Sequence, residues 1–432
     1  MSKVYIGMTL DILHHGHANI INVARGYGEV TVGLLTDKAI ANHKRLPYLK
    51  YEHRKILLEN IKGVARIVPQ EEWDYSPNLL RYKPDIMVHG DDWLSGPLLP
   101  FRKLALKALQ SYGGKLVEVP YTEGVSSTDI QREMQKMGTT PDLRRGMLKR
   151  LLASKTLCRV IETHSPMSGL VAQSAKAWRV NSQVEFDAFW SSSLTDSSSR
   201  GKPDIEVLDL TARLSNINDI FDVTTKPMIM DLDTGGKPEH FEINIKSIER
   251  LGISAVIIED KVGLKKNSLF GTEVFQAQED PDAFAAKIRA GRAARRSEDF
   301  MVIARIESLI LDKGMSDAAS RAQKYVEAGV DGIMIHSRKK EPDEIFKFAK
   351  IFRTEFPFVP MVVVPTSFNA ATEEDLAAGG FNIVIYANHL FRAAYPAMMK
   401  VATKILEDGR SSGVDSDLMS INDILNLIPG TR

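Results

Sequence analysis

Apolar residues in the first 120 positions come in short runs separated by amphipathic stretches. The runs predict five strands, and the stretches between them predict at least two helices. The strands are Val4–Gly7, Val30–Leu35, Ile67–Pro69, Ile86–His89 and Lys115–Pro120, and the helices are Gly16–Gly26 and Tyr51–Ile61. Because strands that alternate with helices form parallel sheets, we expect an α/β domain here.

A second pattern of apolar runs begins near Leu148. Eight apolar runs end in a polar or charged residue, and helix-like stretches such as His240–Leu251 lie between most of them. The runs are Arg159–Thr163, Glu185–Trp190, Pro227–Asp231, Ala255–Glu259, Met301–Arg305, Gly332–His336, Met361–Pro365 and Ile383–Ala387. Eight such units predict a (β/α)8 barrel of the TIM type, whose active site lies at the C-terminal ends of its strands. A doubly wound open sheet is the alternative.

The segment 135–146 separates the two sequence patterns. It is polar and contains Gly138 and Pro141, which predicts a linker between a domain of residues 1–134 and a domain of residues 147–432. A chain of 432 residues is long enough for two such domains.

Composition narrows the class of protein. A hydrophobic fraction of 44% and a charged fraction of 26% are typical of a globular protein, and a net charge of +1 gives no reason to expect nucleic acid or an anionic membrane as partner. The single cysteine, Cys158, excludes an internal disulfide. Neither a signal peptide nor an apolar run of roughly 18 residues is present, so we expect a cytoplasmic protein that acts on small molecules.

Two histidines mark the first candidate site. His14 and His17 flank Gly16 where the first strand meets the first helix. A helix N-terminus favours phosphate, and imidazoles placed there can donate hydrogen bonds to phosphoryl oxygens as charge develops. A solvated histidine cluster at a helix cap is the alternative.

Three further segments follow in order along the chain. Lys50–Arg54 places cations at a helix start, Val88–Trp93 ends a strand with two acids and a tryptophan, and Glu123–Ile130 places three hydroxyls at another helix start. Together with the histidines, over residues 3–132, they resemble the cytidylyltransferase family, in particular the glycerol-3-phosphate and phosphonate cytidylyltransferases.

The resemblance implies a Rossmann-like nucleotidyltransferase domain that uses CTP as substrate. It would transfer CMP to a phosphate or phosphonate monoester and release pyrophosphate, with His14 and His17 acting on the transferring phosphorus. Further nucleotide-binding residues implied by position are Lys44, Arg54, Ser126 and Ser127 at the phosphates, and Asp92 and Trp93 at the nucleoside. Tyr121 stands where the relatives carry an arginine. A nucleotide-sensing module without catalysis is therefore the alternative.

Acidic residues mark the second candidate site. Asp231 and Asp233 close one predicted strand, with both side chains on one face because strand side chains alternate, and Glu259 closes the next. Converging carboxylates repel one another unless a cation lies among them, and oxygen ligands suit Mg²⁺, or Mn²⁺ in its place. Arg305 and His336 end other strands and can bind a small anion. Helix-capping acids are the alternative.

A loop after Glu259 makes the interpretation more specific. Glu259-Asp260-Lys261 followed by Lys265-Lys266-Asn267-Ser268 predicts a mobile lid, with a plain surface loop as the alternative. This segment resembles the gating loop of the phosphoenolpyruvate mutases, within the isocitrate lyase superfamily. The resemblance covers about residues 147–430.

This second resemblance implies an isomerase that interconverts phosphoenolpyruvate and 3-phosphonopyruvate. It implies that Asp233 binds the metal directly and that the waters on the metal are held by Asp204, Asp231 and Glu259. The pyruvyl group would be surrounded by Trp190, Ser192 and Leu194, and phosphoryl or carboxylate oxygens would be bound by Arg305 and His336. The loop that closes over the site would contribute Lys265, Asn267 and Ser268. Relatives form dimers and tetramers by exchanging C-terminal helices, so the resemblance also implies a homo-oligomer.

Other reactions of the superfamily define the alternatives. Its lyases use a cysteine on this loop, which has none here, and its phosphonopyruvate hydrolases lack the Asn-Ser pair. We therefore predict an enzyme of phosphonate biosynthesis whose barrel makes the carbon–phosphorus bond and whose N-terminal domain activates a phosphonate. A phosphonopyruvate hydrolase or a decarboxylase remains the alternative for the barrel.

Overall fold

The structure, a computed structural model, describes residues 1–120, 138–179 and 182–428. The predicted phosphate-binding residues Ser126 and Ser127, and Tyr121, lie outside the described residues. Of the described residues, 1–120, 150–155 and 176–185 form one compact unit, and 138–149, 156–175 and 186–428 form the other.

Residues 1–120 form a parallel sheet in the strand order β3-β2-β1-β4-β5. The strands are β1 (Ser2–Met8), β2 (Gly28–Leu35), β3 (Arg66–Gln70), β4 (Ile86–Gly90) and β5 (Lys115–Val119). The helices are α1 (His15–Tyr27), α2 (Asp37–Ala41), α3 (Tyr51–Glu59), α4 (Ser76–Tyr82) and α5 (Leu99–Gln110), with 3-10 turns at Asp91–Trp93 and Gly96–Leu98. The predicted α/β domain is confirmed.

Strand β1 shows why this sheet is covered on both faces. Its side chains alternate, so Val4 and Ile6 join an apolar cluster that includes Ile21 of α1, whereas Tyr5 joins another cluster that includes Leu109 of α5. Burial of both faces accounts for the continuous apolar runs in the sequence.

In the described part of the second unit, eight parallel strands close into a barrel. Their ranges are β6 (Cys158–Glu162), β9 (Ala188–Ser191), β10 (Met228–Asp231), β11 (Ala255–Glu259), β14 (Met301–Ile306), β15 (Gly332–Ile335), β16 (Met361–Val363) and β17 (Ile383–Tyr386). In this unit β12 (Lys261–Val262) pairs antiparallel with β13 (Ala277–Gln278). Another antiparallel pair, β7 (Lys176–Arg179) with β8 (Ser182–Glu185), is grouped with the first unit. Since β17 pairs with β6 and β6 with β9, the sheet has closed, which confirms the barrel and excludes the open sheet.

Helices surround the barrel. They are α6 (Pro141–Ser154), α7 (Pro166–Ser174), α8 (Ser193–Ser198), α9 (Leu210–Asp222), α10 (Pro238–Leu251), α11 (Pro281–Ala294), α12 (Met315–Glu327), α13 (Asp343–Glu355), α14 (Glu373–Ala378), α15 (His389–Asp408) and α16 (Ile421–Leu427), with 3-10 turns at Ser268–Glu273 and Ser412–Asp417. Within the described ranges, none of these helices or those of the first unit is long and apolar enough to cross a membrane.

Two element predictions need correction. Helix α6 begins at Pro141, inside the segment predicted as the linker, because proline is well suited to the first turn of a helix. The barrel strand predicted at Glu185–Trp190 begins only at Ala188, since Glu185 pairs with Lys176 in the β7–β8 hairpin.

Candidate active sites

The first candidate site lies where β1 leads into α1. His14 caps this helix, with its Nδ1 accepting the Gly16 N–H at 3.2 Å, and His17 Nδ1 accepts the His14 N–H at 3.4 Å. The two rings lie 4.0 Å apart between centroids. A neutral imidazole whose Nδ1 accepts a hydrogen bond carries its proton on Nε2, so both rings present an N–H donor.

The protonation of these histidines follows from burial. Burial, with a smaller contribution from His14, lowers the pKa of His17 to about 4, and burial with His15 lowers the pKa of His14. Both rings are therefore neutral at pH 7, and their capping role requires the neutral form. His14 and His17 line one cavity, as predicted, at the N-terminal end of α1.

This cavity has a volume of about 220 Å³. Of the predicted residues, Lys44, Asp92 and Trp93 also line it. Aromatic residues that sequence reasoning missed complete the wall: Trp73, Tyr75, His89 and Phe101. The ring of His89 stacks on that of Trp93 at 3.7 Å, and Lys44 Nζ lies 5.2 Å from the Trp73 ring centroid. The aromatic positions at 73 and 75, just past β3, are a signal that could have revealed them.

Arg54, predicted as a phosphate ligand, is not among the residues that line this cavity. Its side chain is fully buried and donates hydrogen bonds to the carbonyls of Thr9 and Leu49 and, at 2.6 Å, to Asp37 Oδ1. The guanidinium turns back from the start of α3 to hold the segment after β1, because buried arginine needs carbonyl and carboxylate partners. Arg54 is thus a structural residue in this conformation.

The second candidate site lies at the C-terminal ends of the barrel strands. Asp231 is the last residue of β10, and Asp233 follows the strand with a φ of +54°, a left-handed conformation that is rare outside glycine. The alternation argument used for this pair is therefore wrong. The turn brings the two acids together instead, with the Asp233 N–H donating to Asp231 Oδ1 at 3.3 Å. Strained backbone of this kind is frequent at functional sites.

A loop lysine lies on the acids. Lys265 Nζ donates to Asp204 Oδ1 at 2.7 Å and also to Asp233 Oδ1 and Ser193 Oγ. Ser193 Oγ in turn donates to Asp231 Oδ2 at 2.9 Å. Burial would lower the pKa of Lys265, but the carboxylates of Asp233, Asp231 and Glu259 raise it, so the side chain is a cation.

The carboxylate oxygens of these acids are ligands that suit a hard divalent cation, but their positions in this structure do not form a complete metal site. Among the described residues, no three acidic, histidine or cysteine side chains are grouped so that they could hold a metal ion. The carboxylates of Asp204, Asp231 and Asp233 nevertheless surround an ammonium group, and burial raises the pKa of Glu259 to about 7. Buried oxygen ligands around a cationic group are the donor set that suits Mg²⁺ once Lys265 withdraws.

Arg305 and His336 face the acids, as predicted. Arg305 donates to Ser268 Oγ at 2.5 Å, to His336 Nδ1 at 2.9 Å and to Glu307 Oε1 at 2.5 Å. Burial and the charge of Arg305 lower the pKa of His336, and an arginine can only donate, so the neutral His336 ring carries its proton on Nε2. Sequence reasoning missed Glu307, which bonds to both Ser268 and Arg305.

A cavity of about 70 Å³ lies at this site. The predicted residues Trp190, Ser192, Leu194, Asp204, Asp231, Glu259, Lys265, Asn267, Ser268, Arg305 and His336 all line it. Trp190 Nε1 is buried and has no hydrogen-bond partner among the described residues. Asn267 Nδ2 donates to Asp204 Oδ2 at 3.2 Å, so the gating loop is folded over the acids.

Comparison with known proteins agrees with this geometry. A family model for phosphoenolpyruvate phosphomutase matches residues 148–406, and a cytidylyltransferase-like model matches residues 5–133. The chain is 38% identical over 282 residues to a phosphonopyruvate hydrolase of Variovorax sp. (strain Pal2). This match covers 65% of this chain and 93% of that protein.

Two solved structures are similar to the barrel. A phosphoenolpyruvate phosphomutase from Streptomyces platensis subsp. rosaceus has a TM-score of 0.60 and 32% identity, over 66% of this chain and 94% of that one. A phosphonopyruvate hydrolase in complex with oxalate and Mg²⁺ has a TM-score of 0.57 and 34% identity, over 67% of this chain and 95% of that one. The chain belongs to the phosphoenolpyruvate phosphomutase family and carries a cytidylyltransferase-like domain before its barrel.

Proposed function

We propose that the barrel interconverts phosphoenolpyruvate and 3-phosphonopyruvate, and that the N-terminal domain transfers CMP from CTP to a phosphonate or phosphate. The observation that carries the barrel assignment is the folded gating loop. Lys265, Asn267 and Ser268 all reach the cavity and bond to residues of the barrel mouth. Such a loop can exclude water while a phosphoryl group is in transit.

The chemistry explains why exclusion of water matters. In the isomerisation, the bond between phosphorus and the enol oxygen breaks, and its electron pair leaves a pyruvate enolate. Carbon 3 of that enolate then forms the bond to phosphorus and restores the ketone, so no proton enters or leaves. Phosphoryl transfers have loose transition states in which positioning and charge stabilisation dominate. A proton source would divert the enolate to pyruvate, and water would capture the phosphoryl group.

The residues of the site have roles that suit this reaction. Asp233 would hold Mg²⁺ directly, with Asp204, Asp231 and Glu259 on its waters, and the ion would supply positive charge beside the substrate oxygens. Arg305 and the Nε2–H of His336 would hold phosphoryl or carboxylate oxygens. The Trp190 indole N–H, which has no partner in the described structure, would donate to the substrate near Ser192 and Leu194. The structure of a similar hydrolase with Mg²⁺ supports the choice of metal.

Hydrolysis of phosphonopyruvate is the second candidate reaction. The 38% identity to a phosphonopyruvate hydrolase favours it, and the same acids and cations could serve it. Hydrolysis requires a water at phosphorus and a proton delivered to carbon 3. Lys265 and Asn267 both donate to Asp204, so the loop that carries them can cover the site, which supports the mutase.

Phosphorus NMR can separate the two reactions. Phosphonopyruvate incubated with the enzyme and Mg²⁺ should become phosphoenolpyruvate with little free phosphate. Asn267→Ala should slow the isomerisation and raise the share of phosphate, whereas Lys266→Ala on the same loop should leave the product ratio unchanged. Phosphate and pyruvate as main products of the unmodified enzyme would make the barrel a hydrolase, and loss of carbon dioxide from oxaloacetate would make it a decarboxylase.

The nucleotide site supports the proposal for the N-terminal domain. Two neutral histidines with Nε2–H donors line a cavity with Lys44 and Asp92. We propose that the histidines stabilise charge on the transferring phosphate and that Ser126 and Ser127 contact phosphates. Pyrophosphate release should occur with CTP and a phosphonate, and should be slower with ATP. Nucleotide binding without pyrophosphate release would identify a sensing module instead.

The two assignments together point to phosphonate biosynthesis. Because the barrel would make the carbon–phosphorus bond, a CMP transfer on the same chain would activate a later phosphonate. We further propose domain limits at residues 134 and 147, with the start of α6 belonging to the connection. Helices α15 and α16 bury no residue, which supports a homo-oligomer in which these helices are covered.

A further inference from the structure

A buried ion pair lies behind the acidic cluster. Arg213 on α9 is 4% exposed, and Asp196 on α8 is 1% exposed. Arg213 Nε donates to Asp196 Oδ2 at 2.9 Å, and Ser191 Oγ donates to the same oxygen at 2.8 Å. Neither charged residue lines the substrate cavity. Any effect of the pair on the site is therefore transmitted through other residues.

The guanidinium ties two strand ends together. Arg213 Nη1 donates to the Asp231 carbonyl at 2.6 Å, and Nη2 donates to the Ser191 carbonyl at 3.3 Å and to Ser191 Oγ at 3.2 Å. Asp231 ends β10 and Ser191 ends β9, its neighbour in the barrel. Only the planar fork of an arginine can reach both carbonyls and a carboxylate at once. The carbonyl of Asp231 is held from outside the barrel while its side chain faces the site.

The same side chain also faces the second acid. Arg213 Nη1 lies 3.7 Å from Asp233 Oδ2, on the side away from the loop lysine. A lone guanidinium here would add a positive charge beside carboxylates proposed to bind a cation. Asp196 offsets that charge, so the pair supplies directed hydrogen bonds with little net charge. A buried ion pair contributes little to stability compared with apolar residues of the same volume, so stability alone does not account for it.

We propose that Arg213 is a positioning residue for the divalent-cation site, with Asp196 as its counter-ion. Through the Asp231 carbonyl, Arg213 fixes the turn from Asp231 to Asp233, including the left-handed backbone of Asp233. This inference rests on the proposed function, in which those carboxylates hold the cation. Residues that orient metal ligands are worth roughly 10- to 100-fold in metal affinity.

The experiment is a Mn²⁺ titration followed by electron paramagnetic resonance, with the melting temperature measured on the same samples. The variant Arg213→Met/Asp196→Leu replaces the pair by apolar side chains and should keep a melting temperature within a few degrees of the unmodified protein. Its Kd for Mn²⁺ should rise by roughly 10- to 100-fold. Arg213→Lys, which keeps the charge but loses the fork, should give an intermediate Kd.

A matched control lies at the other end of the barrel. Arg295 is a buried arginine bonded at 2.9 Å to Asp331, at the start of β15, and Arg295→Met should leave the Kd for Mn²⁺ unchanged. An unchanged Kd in a folded Arg213→Met/Asp196→Leu variant would overturn the inference and show a merely structural tie. If that variant does not fold, Arg213→Lys decides, with a Kd equal to that of the unmodified protein overturning the inference.

The outcome also separates this inference from the proposed function. If the unmodified protein binds no Mn²⁺, the proposed cation site is wrong, and the role of Arg213 falls with it. If the unmodified protein binds Mn²⁺ and both Arg213 variants bind it equally well, only the role of Arg213 is wrong.

Discussion

Lys265 offers a direct test of how the gating loop and the cation site are related. Its ammonium lies on Asp204 and Asp233, which are the carboxylates proposed to surround Mg²⁺. A divalent cation and this ammonium cannot occupy the same place, so Lys265 must leave before the cation binds. We expect Lys265→Met, which keeps the length and apolar body of the side chain, to bind Mn²⁺ more tightly than the unmodified protein.

The magnitude follows from the contacts. A pair of unit charges about 4 Å apart is worth about 4 kcal/mol at an effective dielectric constant of 20. Desolvation of the buried ammonium offsets part of this, which leaves about 2 kcal/mol, in the range of hydrogen bonds between charged groups. A protein held in the lysine-bound form by about 2 kcal/mol exposes its cation site only about 3% of the time, so removal of the lysine should lower the Kd by about 30-fold.

Mn²⁺ titration of Lys265→Met and Lys266→Met makes the comparison. Lys266 carries the same charge on the same loop, but it contacts Lys261 through its carbonyl oxygen. Its replacement should change the Kd by less than about twofold, because Lys266 is only half-buried and charges that solvent reaches are screened more strongly than buried ones. Isomerisation should fall in Lys265→Met while Mn²⁺ binding improves. An unchanged or weaker affinity in Lys265→Met would refute the reasoning.

Four other substitutions test separate parts of the structure. His17→Ala should reduce pyrophosphate release from CTP by roughly 10²- to 10³-fold. In the unmodified protein, NMR of the His17 ring should show a midpoint near pH 4, and the stability that its neutral form contributes should be complete above about pH 6.5 and lost as the pH falls towards 4. Asp233→Asn should abolish isomerisation and Mn²⁺ binding without a large change in melting temperature, because asparagine tolerates the left-handed backbone. Arg54→Met should lower the melting temperature in a thermal scan while the KM for CTP changes by less than about twofold, whereas Lys44→Met should raise that KM.

Most of the barrel could be predicted from sequence because its strands are buried on both sides. The apolar runs predicted at Ala255–Glu259 and Met301–Arg305 correspond to β11 and β14, with ends shifted by at most one residue. A parallel strand reads as a continuous apolar run that stops where the chain reaches the polar mouth. Residues at the ends of those runs, such as Glu259 and Arg305, could therefore be placed at one face of the barrel.

Some local patterns have two physical meanings. Pro141 breaks the polar segment, but proline also begins helices, as it does in α6. Arg54 lies near the start of α3, next to residues predicted to bind phosphate, but a guanidinium can also fold back onto carbonyls. In both cases the tertiary surroundings decide.

Arg213 and Asp196 have no local sequence signal at all. They are 17 residues apart and lie on different helices, and what joins them is the approach of α8 and α9 to the same strand ends. Nothing in spacing or periodicity predicts that a helix arginine will bond to the carbonyl of a strand-end aspartate. Such residues are identified only from the structure, as hydrogen-bond partners of the residues that form the site.

From the charges of the barrel site we infer that loop closure and substrate binding are coupled. The carboxylates of Asp204, Asp231 and Glu259 line the cavity, and Lys265, which also lines it, is paired with Asp204 and Asp233 in the folded loop. In the proposed mechanism, an open loop would remove the positive charge of Lys265, and repulsion among the buried acids would then favour binding of a divalent cation. With the cation and an anionic substrate bound, Lys265 would move from the acids to the phosphoryl oxygens, and the loop would close with its charge directed at the substrate. The conformation of the loop would then depend on whether the cation and the substrate are bound, because Lys265 would contact the acids in the empty site and the substrate in the filled site.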